Sequence, residues 1–154
     1  MKNSLRAMKY EESAGIIVFY LDGKEPKFLL LKYPTYWGFA KGIIEKGESI
    51  EETAEREVEE ETGFKDLEIL PGFTFVQEWF YRFKGELIKK KATFLLGKIK
   101  KEDAEKVRLS QEHEDFSWNS YEDAIEKMKI KNNKDMLTKS YEFIKGSGKQ
   151  KKLF

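Results

Sequence analysis

Residues 42–64 read GIIEKGESIEETAEREVEEETGF, and the rest of the chain is best read outward from them. Between Glu48 and Glu61 there are eight glutamates and one base, Arg56, a net charge of −7 over fourteen residues. Ser49 followed by Glu52 has the form of a capping box, and Gly63 that of a helix stop, so the spacing predicts a helix over 50–62. Ile50, Ala54 and Val58 supply its inward stripe. Residues 57, 60 and 61 then project within a sector of about 100° beside that stripe. Glu48 and Glu52, Glu51 and Glu55, Glu55 and Glu59, and Glu57 and Glu61 are like-charge pairs at i,i+4, each costing about 0.2–0.5 kcal/mol in an isolated helix. A solvated acidic face normally interleaves lysine, and this one has none. Divalent cations would offset the repulsion. Carboxylates at this density suit magnesium or manganese, whose coordination is commonly shared with substrate phosphates.

The same stretch fits the box of the Nudix hydrolases, G-x5-E-x7-R-E-U-x-E-E-x-G-U with U apolar, at every fixed position. The matching residues are Gly42, Glu48, Arg56, Glu57, Val58, Glu60, Glu61, Gly63 and Phe64. The chain therefore resembles that superfamily. The resemblance implies an α/β (α+β) Nudix fold, with a mixed β-sheet sandwiched between the box helix and C-terminal helices, and metal-dependent hydrolysis of a phosphoanhydride. It implies Glu57, Glu60 and Glu61 as metal ligands, joined by the Gly42 carbonyl and Glu112. Arg56 would position and charge-balance the box glutamates, pairing with an acid a turn away such as Glu52 or Glu60 rather than facing Glu57. Glu48 would orient the loop. The general base is either Glu57 or Glu112.

Composition bounds the rest. A chain of 154 residues is one domain, expected over 1–145 with a flexible basic tail at 146–154. Cysteine is absent, which excludes a disulfide framework, a thiolate metal site and a cysteine nucleophile. The longest apolar run, Ala14 to Leu21, is eight residues, and no hydrophobic leader precedes it, so a cytoplasmic protein without a membrane segment is expected. The net charge of +1 conceals a division, because the residues outside 48–61 carry +8. A basic surround would draw a polyphosphate towards the acidic site, although a lysine-rich surface of no specific purpose has the same composition.

Apolar runs predict strands over 13–20 and 27–32, with a turn at 22–26, and further strands over 67–70, 73–83 and 87–99, the last two joined by a hairpin turn at 84–86. Residues 1–12 read as a frayed end or short edge, and 100–106 as a charged loop or short turn. Ser120 with Asp123 opens a helix through 130, and Asn132 or Asn133 caps another through 144. In the loop 33–41, YPTYWGFAK, Trp37 and Phe39 are either a stacking wall for a base or a lid on the core, and Lys41 is placed to meet a phosphate.

Two further features resemble the asymmetric diadenosine tetraphosphate hydrolases within the superfamily. One is the tryptophan loop before the box, with Ala40 where a proline and Tyr36 where a histidine is usual, and with Tyr81 eighteen residues past Gly63. The other is RLSQEHEDFSW, residues 108–118, which carries the Leu-Ser-x-Glu-His pattern with Phe116 in place of a tyrosine. This resemblance implies cleavage of diadenosine tetraphosphate to ATP and AMP with magnesium, or manganese, as cofactor. Lys41, Tyr81 and one of Lys89, Lys90 and Lys91, with Lys89 the first choice, would bind phosphate, while Trp37 and Phe116 would hold adenine. Met128 and Ile130 stand where those hydrolases often have a second stacking aromatic. His113 reads as a structural hydrogen-bonding residue. The expected partner is a small dinucleoside polyphosphate, with no DNA or membrane, on a monomer or homodimer. The competing readings are an RNA 5′-pyrophosphohydrolase, another nucleoside or inositol polyphosphate hydrolase of the superfamily, and a non-catalytic sensor. Gln150, Leu153 and Phe154 have the spacing of a sliding-clamp-binding tail, a pattern short enough to arise freely.

Overall fold

The computed structural model describes residues 8–153, with side chains described over 8–146. Its centre is the long strand β1 (Met8–Asp22), which turns through Gly23 into β2 (Glu25–Lys32). β1 also pairs antiparallel with β4 (Ala40–Ile43) and parallel with β7 (Glu86–Lys98). β2 carries β3 (Trp37–Gly38) and β8 (Phe116–Asn119), while β7 carries β5 (Glu68–Ile69) and β6 (Phe75–Phe83), all antiparallel. Among the described residues these strands form one eight-stranded mixed sheet.

Alternation along β1 divides the core into two layers. Ala14, Ile16 and Val18 face helix α1 (Ile50–Thr62), packing with Ala54, Val58 and Phe64. Ile17 and Phe19 face the other way, towards Ala124 of α2 (Tyr121–Lys127), Met128, and Met136 and Leu137 of α3 (Lys131–Leu153). Each such side chain removed from water contributes about 1.5–3 kcal/mol before the entropy of ordering is set against it. Both faces of the central strands are thus covered, which is why Ala14 to Leu21 reads as an unbroken apolar run.

α1 has the expected caps. The Ser49 hydroxyl accepts from the Glu52 N–H, the Glu52 carboxylate accepts from the Ser49 N–H, and Gly63 closes the helix at φ 84°. Its stripe differs: Ile50, in the first turn, is left exposed, and Thr53, Glu61 and Thr62 are buried with Ala54 and Val58.

Other expectations are corrected. Residues 8–12 are not a frayed end, because the first half of β7, Leu87–Lys91, gives their backbone a parallel partner. Of the two readings of 100–106, the short turn is the one found: Lys101–Lys106 forms a 3-10 turn. α2 stops at Lys127, since Met128 turns extended and inserts into the core. Neither Asn132 nor Asn133 caps α3, which begins at Lys131; Asn133 is drawn inward, its Oδ1 accepting from Nε2 of Gln77 at 3.0 Å. The α3 backbone runs on past Gly146 to Leu153. The side chains of the clamp-like tail pattern lie outside the described residues. Among the described residues no helix is long and apolar enough to cross a membrane.

Candidate active site

α1 packs on β1 and β4 so closely that Gly42, in β4, lies against the Glu57 carboxylate; a Cβ at position 42 would fall onto that group. Any side chain at position 42 would displace the Glu57 carboxylate from the place it occupies here.

Arg56 organises the outer side of the box. Its Nε and Nη2 donate to the two oxygens of Glu48 at 2.7 and 3.0 Å, and Nη1 donates to Glu57 at 2.9 Å. Nη2 also reaches the Ile43 carbonyl at 3.2 Å, and Glu60 is held more loosely at 3.4 Å. The expected pairing is corrected in two respects. Glu52 is taken by the capping box, and Glu57 is a direct partner, because the long side chain carries its planar fork around the helix to reach acids that α-carbon spacing alone separates. Glu48 also binds the loop before α1: its Oε1 accepts from the Glu45 N–H at 3.0 Å and from the Thr53 hydroxyl at 2.9 Å. The Arg56 hydrogen bond, with those two donors, pulls the Glu48 pKa down to about 2.

Behind Glu57 lies Glu61, only 2% exposed. His113 Nε2 lies 2.6 Å from Glu61 Oε1, while Oε2 has no hydrogen-bond partner. Burial, then the neighbouring Glu57 and the charge of Glu112, push the Glu61 pKa well above the usual carboxylate range, against the opposing charge of Lys41. Burial likewise lowers the His113 pKa, opposed by the Lys32 carbonyl and Glu112. Glu61, Glu112 and His113 offer ligand atoms all within 4.8 Å of one another. A buried carboxylate oxygen with no donor is costly, and a divalent cation is the partner this oxygen-rich set fits. Glu60 is at the rim, its side chain 58% exposed.

On the opposite face of the sheet a cavity of about 320 Å³ is lined by Tyr33, Tyr36, Lys41, Gln77, Trp79 and Asn133 among others. Lys41 connects it to the acids: burial and the charge of Lys90 lower its pKa, while Glu61 and Glu57 raise it. Tyr33 is the second connection. It stacks on Tyr36 with ring planes 3° apart, donates its hydroxyl to the Phe39 carbonyl at 2.7 Å, and meets the His113 ring edge-on at 4.6 Å. A larger hollow of about 930 Å³, beside Phe64 and Arg108 at the far end of α1, contains none of the predicted site residues.

The remaining predicted residues are dispersed. Trp37 is not in the cavity wall; it packs on the α2/α3 core with Lys32 and Lys127 over its ring at 5.6 and 4.8 Å, whereas Phe39 is buried in that core and also lines the cavity. Phe116, in β8, packs beside the α1 layer. Tyr81 shares the cavity face of β6 with Gln77 and Trp79, and Lys90 lies 5.2 Å over its ring. Lys89 points to the other face and pairs with Glu78 at 3.3 Å, because successive strand residues alternate. The lysine on the cavity face is Lys90. Sequence reasoning passed over Tyr33, Gln77, Trp79 and Asn133 as site residues. The period of two running back from Tyr81 through 79 to 77 points to two of them.

Residues 9–140 match the NUDIX domain. The chain belongs to the Nudix family. Over 143 residues this Nudix chain is 32% identical to the bis(5'-nucleosyl)-tetraphosphatase [asymmetrical] of Mus musculus, an alignment covering 86% of the chain and 94% of that protein. It is 34% identical over 92 residues to the RNA pyrophosphohydrolase of Bartonella bacilliformis, covering 54% of the chain and 52% of the relative. Its fold superimposes on the Ap4A hydrolase of C. elegans, solved as a binary complex, with a TM-score of 0.77 at 29% identity, covering 88% and 98% of the two chains. The protein is thus a Nudix pyrophosphohydrolase, a class that generally works with divalent metals.

Proposed function

We propose that this Nudix hydrolase cleaves a dinucleoside polyphosphate, diadenosine tetraphosphate to ATP and AMP, with magnesium, or manganese in its place. The observation that carries the reading is that Lys41 and Tyr33, which line an aromatic cavity of about 320 Å³, lie within the field of the acids, Lys41 feeling the charges of Glu57 and Glu61 and Tyr33 those of Glu57, Glu61 and Glu112. Such a cavity suits a compact, flat group attached to a phosphate chain. The likeness to asymmetrical tetraphosphatases along nearly their full length supports the same substrate class.

Glu57, Glu60, Glu61, Glu112 and the Gly42 carbonyl are the proposed metal ligands. A cation held there supplies charge neutralisation for phosphate oxygens and a water that ionises near neutral pH. Arg56 fixes Glu57 and Glu48 in place. Glu57 is already committed to Arg56 and lies against Gly42, so Glu112, exposed and with no ion pair among the described residues, is the group left to take the proton from water. Lys41, Tyr81 and Lys90 meet phosphate oxygens. Tyr36 and Trp79 hold a base, the role first given to Trp37, while Phe116 remains a candidate for the second base. The proposed compartment is the cytoplasm, with which a chain free of cysteine is compatible.

A second reading, removal of pyrophosphate from an RNA 5′ end, draws on the Bartonella bacilliformis relative and on the +8 charge outside the acidic stretch. Purified protein with magnesium is given diadenosine tetraphosphate in one vessel and triphosphorylated RNA in another, with Glu61→Gln as control. Nucleotide products from the dinucleotide with wild type alone are expected. Monophosphorylated RNA beside an untouched dinucleotide would replace the first reading with the second, and silence in both vessels would overturn both.

A further inference from the structure

β6 pairs with β7 through nine consecutive residue pairs, and among the described residues no strand covers its other edge. An open edge of this length is a template for another strand, and proteins commonly blunt one with proline, lysine or a bulge. β6, FVQEWFYRF, contains neither proline nor lysine, and its unbroken register with β7 leaves no bulge. Val76, Phe80 and Phe83 are exposed on it at 45, 58 and 58%. Its only charged residues are Glu78 and Arg82, of opposite sign and equally spaced about Phe80.

That symmetry defines the occupant. When two copies of β6 are set antiparallel about a two-fold axis through Phe80 and perpendicular to the sheet, Glu78 faces the partner subunit's Arg82, and the contact occurs twice. Phe80 meets the partner's Phe80 between them. On the cavity face Trp79 falls beside the partner's Tyr81, so each copy extends the aromatic wall of the other. Moving the axis one residue either way sets Phe80 against Glu78 or against Arg82 and breaks both charge pairs. Within one subunit Glu78 has Lys89 at 3.3 Å, whereas Arg82 has no acidic partner among the described residues. Opposite charges directly across an antiparallel pair are favourable and like charges are not, so the strand is complementary to itself in one register.

We infer that β6 is the interface of a two-fold homodimer joined edge to edge into one continuous sheet.

Sedimentation velocity on the full chain tests this. The expected species has twice the 18.2 kDa mass of one chain at micromolar concentration. Glu78→Arg and Arg82→Glu, each placing like charges across the axis, are expected to weaken association by about tenfold or more. The double variant E78R/R82E restores opposite signs and is expected to recover the dimer. Thermal melts of all three establish that the fold survives. A monomer at every concentration, a dimer indifferent to the single reversals, or a folded double variant that stays monomeric would each overturn the proposal.

Discussion

His113 Nε2 lies 2.6 Å from Glu61 Oε1, with the two side chains 0% and 3% exposed. The chain's one histidine therefore holds the most deeply buried carboxylate of the box, and Tyr33 holds the histidine in turn. Residues that orient a metal ligand from behind are worth about 10–100-fold in metal affinity. His113→Asn is expected to weaken manganese binding by that factor, read by calorimetric titration. His113→Gln, which can still place a donor near Glu61, should recover part of it. Unchanged affinity in a folded His113→Asn would show that Glu61 needs no such support.

The Glu48–Arg56 pair has a defined pH signature. Arg56 holds the folded-state pKa of Glu48 at about 2, below the ordinary 4.5, so the unfolded chain takes up a proton first as pH falls. The stability this pair contributes is complete above pH 4.5 and is lost as the pH drops through about 2. Glu48→Gln should thus melt below wild type at neutral pH, and the gap should close over that acid window. A gap that is constant with pH would remove the ion pair as its cause.

The two tryptophans next to the box are expected to behave differently. Trp79→Ala removes a wall of the cavity and should raise KM for the dinucleotide by about tenfold, in line with about 1–3 kcal/mol per stacked base. Trp37→Ala removes packing from the α2/α3 core and should cost ~2 kcal/mol of stability, below the range for a fully buried tryptophan, with little effect on KM. Steady-state kinetics and denaturant melts on both variants separate the two roles.

Lys89 and Lys90 provide a test of strand register. Lys90→Ala should raise KM, whereas Lys89→Ala, on the opposite face and paired with Glu78, should leave KM unchanged. The reverse pattern would move the phosphate chain to the other side of the sheet.

What the sequence disclosed and what it hid divide along the range of the interactions. The caps of α1 are local, made between residues three apart, and both ends of the helix are readable from Ser49, Glu52 and Gly63. The box spacing identifies Gly42, Glu57 and Glu61 for the same reason. Other features depend on partners far along the chain. Residues 8–12 become strand only because β7 lies alongside them. Asn133 is committed to Gln77, 56 residues away, so it is not available as a cap. Whether Lys89 or Lys90 faces the cavity depends on the β6–β7 register, which alternation cannot supply until the buried face is known. Arg56 defeated a spacing argument because its guanidinium reaches past the geometry of its own α-carbon.

The most direct test of the central claim is the identity of the products released from diadenosine tetraphosphate by the magnesium-loaded protein, resolved by anion-exchange chromatography at early times. ATP and AMP in equal amounts, absent with Glu61→Gln, are the predicted result. Two molecules of ADP per substrate, or an intact dinucleotide while other nucleoside polyphosphates are consumed, would contradict it.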